Sequence, residues 1–188
     1  MCEAWKRHFD GLENVIVHQG DLFDLHTDAV VSPANSFGFM DGGLDAAITR
    51  RFGKKVENQL QLDIREKYYG ELLVGQAHLV KTGNVNIPYV IAAPTMRVPM
   101  VLKDTVNVYL ATKAAFRVLM ANDDIETVTL SGMGTGVGKV PFGLCANQMR
   151  EAYNDIMLGF NKFPESWYQA QYRHSNLFTD TTKELQNR

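Results

Sequence analysis

The sequence predicts an α/β fold with a mixed, mostly parallel central sheet sandwiched between helices. Two observations carry this. Strand-like and helix-like segments alternate along the chain, the order that crossover connections impose on a parallel sheet. Two strand ends also lead into glycine-containing loops, Phe37 to Gly43 and Gly132 to Gly138, and in such sheets ligands bind outside the carboxyl ends of the strands.

Taken in order, Glu13 to Gln19 (ENVIVHQ) is an alternating β-branched run closed by Gly20-Asp21, and Asp28 to Pro33 (DAVVSP) is a short continuous apolar strand. After Gly42-Gly43, LDAAITRRFG has helical spacing through Leu44, Ala47, Ile48 and Arg51, and Gly53 is a stop signal. A second helix is expected from about Lys54 to Tyr68. Gln76 to Thr82 (QAHLVKT) and Tyr89 to Ala93 (YVIAA) read as strands, the latter ended by Pro94. Lys103 to Asn122 is rich in Ala and Leu at helical spacing and is the clearest helix. Glu126 to Ser131 (ETVTLS) reads as a buried strand, and Pro141 to Phe160 as a helix with a proline near its first turn. The order is strand, strand, helix, strand, strand, helix, strand, helix.

At 188 residues the chain is long enough for one domain burying roughly 70% of its unfolded surface. A single domain over 1–188 is expected, with a core of about 13–160 and a tail of about 161–188 whose aromatic residues dock on the body rather than form another full element. Nineteen basic and 21 acidic residues give a net charge of −2, which offers a polyanion no global attraction. The densest basic patch, Arg50, Arg51, Lys54 and Lys55, reads as a solvated helix end. Two cysteines, Cys2 at an end expected to fray and Cys145 in a helix, and five scattered histidines supply neither a disulfide framework nor metal-ligand spacing. No metal and no cofactor is expected. The N-terminus lacks the apolar core of a signal peptide and no run approaches the ~18 apolar residues of a membrane span, so a cytoplasmic setting without a membrane partner is expected, with the chain acting as a monomer.

The segment GTGVG (Gly134 to Gly138) suits a diphosphate, because glycines let backbone N–H groups approach the oxygens and the following helix adds its positive end. A glycine-rich turn with no ligand explains the same run. It lacks the Walker pattern, and it comes too late for a dinucleotide fingerprint after the first strand. The loop SPANSFGFMDGGLDAAI is more informative. It crowds Asn35, Ser36, Asp41 and Asp45 around three glycines directly after an apolar strand. Asp45 falls in the first turn of the next helix, where the dipole favours a carboxylate whether or not it has a chemical role.

At these two loops the sequence resembles the macro domain family, whose members bind ADP-ribose and in several branches hydrolyse ADP-ribosyl bonds. The run VHQGDLFDLHTDAVVSPANSFGFMDGGLDAAI is similar to the family's strand, Gly-Asp-hydrophobe step, apolar strand, Ala-Asn, Gly-Gly and helix-opening Asp. MGTGVGKVPFGLCANQMREAY resembles its diphosphate loop and following helix. The agreement in element order extends from about Glu13 to Phe160.

The resemblance implies that Asp21, followed by Leu22, meets the adenine. It implies that Ala34 and Asn35 meet the distal ribose, and that Gly42, Gly43 and Leu44 wrap the diphosphate and ribose. Gly134, Thr135, Gly136, Val137, Gly138 and Lys139 fall on the second loop. Asn35 and Asp45 are the implied catalytic pair, the first orienting the ribose and the second positioning water. The implied ligand is ADP-ribose or an ADP-ribosylated protein, nucleic acid or small molecule, with nucleic acid a partner only as such a substrate.

Three positions depart from the best-known hydrolytic branch: Ser32 in place of an asparagine, Thr49 in place of a helical histidine, and Gly138 in place of an aromatic residue. The last suggests a more open ribose end, with Lys139 available to a phosphate or larger acceptor. Phe37, Phe39 and Met40 are either substitute apolar contacts or local core. Phe160, Trp167 or Tyr168 would cover the adenine. The functional alternative is a non-catalytic reader of ADP-ribose or a related nucleotide.

Overall fold

A computed structural model of the chain describes residues 1–178. Four strands form one sheet: β1 (Ala29–Ser32), β2 (His78–Lys81), β3 (Tyr89–Ala92) and β4 (Val128–Thr129), in the order β2-β3-β1-β4. β1 pairs in parallel with β3 and with β4, and β2 runs antiparallel to β3 at one edge. The helices are α1 (Cys2–His8), α2 (Gly43–Phe52), α3 (Lys54–Lys67), α4 (Asn107–Met120), α5 (Phe142–Ile156) and α6 (Trp167–Asn176). The sheet is thus mixed and mostly parallel, as the alternation of elements predicts.

β1 is buried along its whole length, and alternation of side chains across the pleat divides it between two cores. Ala29 and Val31, with Ile91 of β3, join Val108, Ala111, Ala115 and Phe116 of α4 and Cys145, Met149 and Tyr153 of α5. Val30, with Val90 and Ala92, joins Ile48 and Phe52 of α2 and Val56, Leu60 and Ile64 of α3. Three layers follow from that alternation. Burial pushes the Cys145 thiol up to about 12, so this cysteine packs as an apolar residue rather than a nucleophile.

Four expectations change. Glu13 to Gln19 is not a strand, and Ile16 is 90% exposed. The edge strand expected over Glu126 to Ser131 pairs only through Val128 and Thr129. Just before it, the Asp28 carboxylate accepts from the Glu126 and Thr127 amides and the Thr127 hydroxyl, at 3.0, 2.8 and 2.7 Å. That last bond, with the two amides, holds the Asp28 carboxyl below its ordinary value despite some burial.

The N-terminus does not fray as expected. α1 lies on α5, where the Trp5 indole donates to Met149 Sδ (3.4 Å) and Arg150 donates to the His8 carbonyl (3.0 Å). The tail also differs: 167–176 is a helix capped by Ser166, whose side chain accepts from the Gln169 amide. Its aromatic residues do not dock. Phe160, Trp167 and Tyr168 are exposed. The helix is tied to α5 where Asn147 Nδ2 donates to the Asn176 carbonyl (2.8 Å), a polar contact that leaves the rings in solvent. The remaining tail positions, 179–188, lie outside the described residues.

Candidate functional site

Because β1, β3 and β4 are parallel, their carboxyl ends deliver three connections to one edge of the sheet: 33–42 before α2, 93–106 before α4 and 130–141 before α5. The first is shaped by one side chain. Asn35 Oδ1 accepts from the Phe37 and Phe39 amides (3.1 and 3.3 Å), and Asn35 Nδ2 donates to the Phe39 carbonyl (2.7 Å). Thr49, from the next helix, donates to the Met40 carbonyl (3.1 Å). Met40 is in the core, which settles it as a packing residue. Phe39 is exposed, and Phe37 lies under the Arg97 guanidinium, 5.1 Å from its ring centroid.

The loop ends at Gly42 and Gly43. Gly43 has φ +55°, a conformation that glycine adopts at little cost, and the space a Cβ would enter at either position is open. Gly42 makes no side-chain cap on α2, which leaves the first-turn amides without the partner a capping side chain would supply, a place an anion can take. Within the same first turn, Asp45 accepts a hydrogen bond from the buried Ser32 hydroxyl at the end of β1. Burial raises the Asp45 carboxyl to about 6; Asp41 and Glu57 add repulsion, and the Ser32 bond opposes the rise.

The second loop is built differently. Gly134 and Gly138 are buried. A Cβ on Gly138 would sit 2.4 Å from the Gly134 carbonyl oxygen and 3.0 Å from Leu102 Cδ1. Gly138 therefore opens no space toward a ribose; it is the point where two stretches of backbone touch. Gly136, Val137 and Lys139 face solvent, and Thr135 folds its hydroxyl back to the Gly132 carbonyl (2.8 Å).

The 93–106 connection, to which the sequence reading assigned no role, ties the first loop to the second. The Ser36 amide donates to the Met96 and Arg97 carbonyls (3.2 Å each), the Thr95 amide donates to the Ala34 carbonyl (3.1 Å), and the Leu102 amide donates to the Gly138 carbonyl (2.7 Å). Its exposed Val98, Met100 and Val101 were the available signal, an apolar cluster after Pro94 that no helix or strand pattern explains. Asp21 stands apart from these contacts. It is exposed and caps a short 3-10 turn, its carboxylate accepting from the Phe23 amide (2.9 Å), while Leu22 packs on the α2–α3 core.

Two surface grooves lie elsewhere. One, of about 380 Å³, is lined by Lys162, Tyr168, Tyr172 and Arg173 on and before α6. The other, of about 490 Å³, lies between α3 and β2 and includes Lys55, Asp63, Lys81 and Gly83. Since Lys81 pairs with Tyr89, that groove sits at the amino ends of the parallel strands, away from the three loops. Beside it, the Asp63 carboxylate meets His78 Nε2 (2.7 Å) and Lys67 (2.8 Å). Burial opposes ionisation there, but those bonds outweigh it and hold Asp63 below its ordinary value. The basic patch behaves as a solvated helix end: Arg50 and Arg51 are exposed in the last turn of α2, and Lys54 pairs with Glu57.

The model of the macro domain family matches residues 31–149, which run from the end of β1 through both glycine loops and into the first half of α5. The chain belongs to the macro domain family. A relative from Aquifex aeolicus, an uncharacterised protein, is 36% identical over 138 residues, 73% of this chain and 79% of its own length. Among solved structures, the DarG macrodomain of Mycobacterium tuberculosis superposes with a TM-score of 0.64 at 21% identity, covering 73% of this macro domain protein and 88% of that chain. Thermosipho africanus DarTG, solved in complex with ADP-ribose, superposes with a TM-score of 0.57 at 18% identity over 72% of this chain and 37% of its own. At such identities the structures show the shared fold.

Within that fold, the sequence-expected residues fall into three groups. Ala34, Asn35, Gly42, Gly43, Leu44 and Asp45 share one loop and helix start; Gly134 to Lys139 share a second loop at the same sheet edge; Asp21 and Leu22 lie in the turn leading toward β1.

Proposed function

We propose that this macro domain binds ADP-ribose and hydrolyses the bond between its distal ribose and an acceptor. The observation that carries the reading is the pairing of an uncapped, glycine-led helix start with a half-buried carboxylate, Asp45, inside that helix's first turn. The amides at Gly42 to Leu44 and at Thr135 to Val137 suit the diphosphate oxygens. The solved complex of Thermosipho africanus DarTG with ADP-ribose on the same fold supports the choice of ligand.

In the hydrolytic step, a water attacks the anomeric carbon of the distal ribose. A carbon–oxygen bond forms to the water and the bond to the acceptor breaks with its electron pair. Asp45, raised to about 6, is largely ionised at neutral pH yet basic enough to take the water's proton, which then passes to the departing acceptor. Asn35 commits one amide N–H and its oxygen to the loop, and its second N–H is the donor available to a ribose hydroxyl. Positioning supplies the larger share of the rate. The whole chain is taken as the working unit, a monomer in the cytoplasm.

Asn35 also motivates the second reading. With its oxygen engaged by its own loop, the protein would be a reader that holds ADP-ribose without turnover. The two separate by incubation with ADP-ribose attached to carboxylate, guanidinium, hydroxyl and nucleic-acid groups. Release from at least one of them is expected, with Asp45→Asn lowering the rate by at least ~100-fold and leaving ADP-ribose affinity within a few-fold. Tight binding with no release from any substrate would establish the reader.

A further inference from the structure

We infer that Ser32 is a positioning residue for Asp45, holding one carboxylate oxygen so that the other is presented to the attacking water as an anion. The inference rests on the hydrolase reading above and concerns a residue to which that reading gives no part.

Ser32 is the last residue of β1 and has no exposed surface. Its backbone is fixed on the β3 side, opposite Ala92 in the register, with its carbonyl accepting from the Ala93 amide (2.9 Å). A hydroxyl this deep needs a partner, and the Ser32 hydroxyl donates to Asp45 Oδ1. A serine has one proton to give; donated to Asp45 Oδ1, it favours the ionised carboxylate and leaves Asp45 Oδ2 uncommitted to it. The surroundings make this donor consequential. Asp41 in the preceding loop and Glu57 on α3 both place negative charge toward Asp45, and burial works in the same direction. Against them stand the Ser32 hydroxyl and the partial positive charge of the α2 amino end. Glu57 is itself held by Lys54. Without Ser32, a proton on Asp45 would silence the base over more of the neutral range.

A merely structural serine would cost only stability when removed. A positioning serine also changes the pH dependence. The test compares the wild type with Ser32→Ala, which takes away one buried atom, and Ser32→Cys, which keeps the shape with a weaker donor. Two readouts are needed: the Asp45 carboxyl titration followed by carbon-13 NMR on the folded proteins, and the pH–rate profile for ADP-ribose release. In Ser32→Ala, the Asp45 midpoint and the acid limb of the rate profile are expected to move together to higher pH by ~1. At pH 6, kcat is expected to fall about threefold or more, with KM little changed. Ser32→Cys is expected to lie between. An unmoved Asp45 midpoint in folded Ser32→Ala would overturn the inference. So would a moved midpoint with an unmoved rate profile. If the wild type releases ADP-ribose from no acceptor, the hydrolase reading fails, and the NMR midpoint alone then decides whether Ser32 governs the charge on Asp45.

Discussion

The two glycine loops stand at the same edge of the sheet and open two helices, yet they are held in different ways. The loop before α2 is organised by side chains: Asn35 gathers its turn, Thr49 fastens Met40, and Ser32 holds Asp45. The loop before α5 is organised mainly by close backbone packing, with the Val140 amide on the Gly134 carbonyl, the Leu102 amide on the Gly138 carbonyl, and no room for a Cβ at Gly138. Only the first contains buried ionisable chemistry. The second offers amides, an apolar Val137 and an exposed Lys139. On the proposed reading, the difference is a division of labour: the first loop would react and the second would hold.

Substitutions can break that division. The largest effect is expected for Asp45→Asn in the reacting loop, where turnover falls steeply and binding survives. Gly138→Ala in the holding loop is expected to do the reverse kind of damage. Its new Cβ meets a carbonyl oxygen at 2.4 Å, so the loop must shift, at a cost of about 1–3 kcal/mol. Denaturant unfolding and calorimetry with ADP-ribose should show lower stability and weakened binding together. An unshifted midpoint with intact affinity would mean that the backbone contact does not shape the cradle.

The pH dependence of stability sharpens the comparison further. Asp45 is raised from 3.8 to about 6, so its contribution to native stability is full below 3.8 and is lost as pH rises through about 6. Asp45→Asn removes that loss. The variant is expected to be more stable than the wild type at pH 8, by up to ~3 kcal/mol, and the difference should vanish near pH 4. A gain of equal size at both pH values would assign it to packing rather than charge. Asp28 has the opposite sign: its lowered carboxyl stabilises above the ordinary value and loses that contribution as pH falls.

Asp21→Ala is expected to have the smallest effect on stability, since the carboxylate caps only a short turn at the surface, about 0.5–2 kcal/mol at most. It is informative through binding. Reduced ADP-ribose affinity is expected if Asp21 meets the adenine, and unchanged affinity would remove it from the site.

The parts of the fold that were legible in the sequence are those whose pattern is set by burial. β1 and β3 are buried between two helical layers and read as apolar runs, and α4 shows its buried face at helical spacing. The Glu13–Gln19 run misleads for a related reason. Alternating β-branched residues describe a chain with one face on a core, and Val15 does pack there, but strand formation also needs a hydrogen-bonded neighbour, and the Val15 amide bonds back to the Leu12 carbonyl instead. α1 and α6 are short and polar, and their helicity depends on a bonded cap or a docked face that no local pattern displays. That two glycine loops follow strand ends was legible from Gly42-Gly43 and the GTGVG run, and the parallel pairing brings them to one edge of the sheet. The internal wiring of the candidate site was not legible. Ser32 and Asp45 are 13 residues apart and meet because a strand end and a helix start converge. Gly138 looks from sequence like a missing side chain, and only three-dimensional packing shows that no side chain fits there.

The account is tested most directly by a crystal structure of the protein with ADP-ribose. It predicts the diphosphate lying across the amides of 42–44 and 135–137, with the distal ribose's anomeric carbon within one water of the Asp45 carboxylate, roughly 3 Å on either side of that water. A ligand seated in the groove between α3 and β2, or one whose distal ribose points away from Asp45, would contradict it.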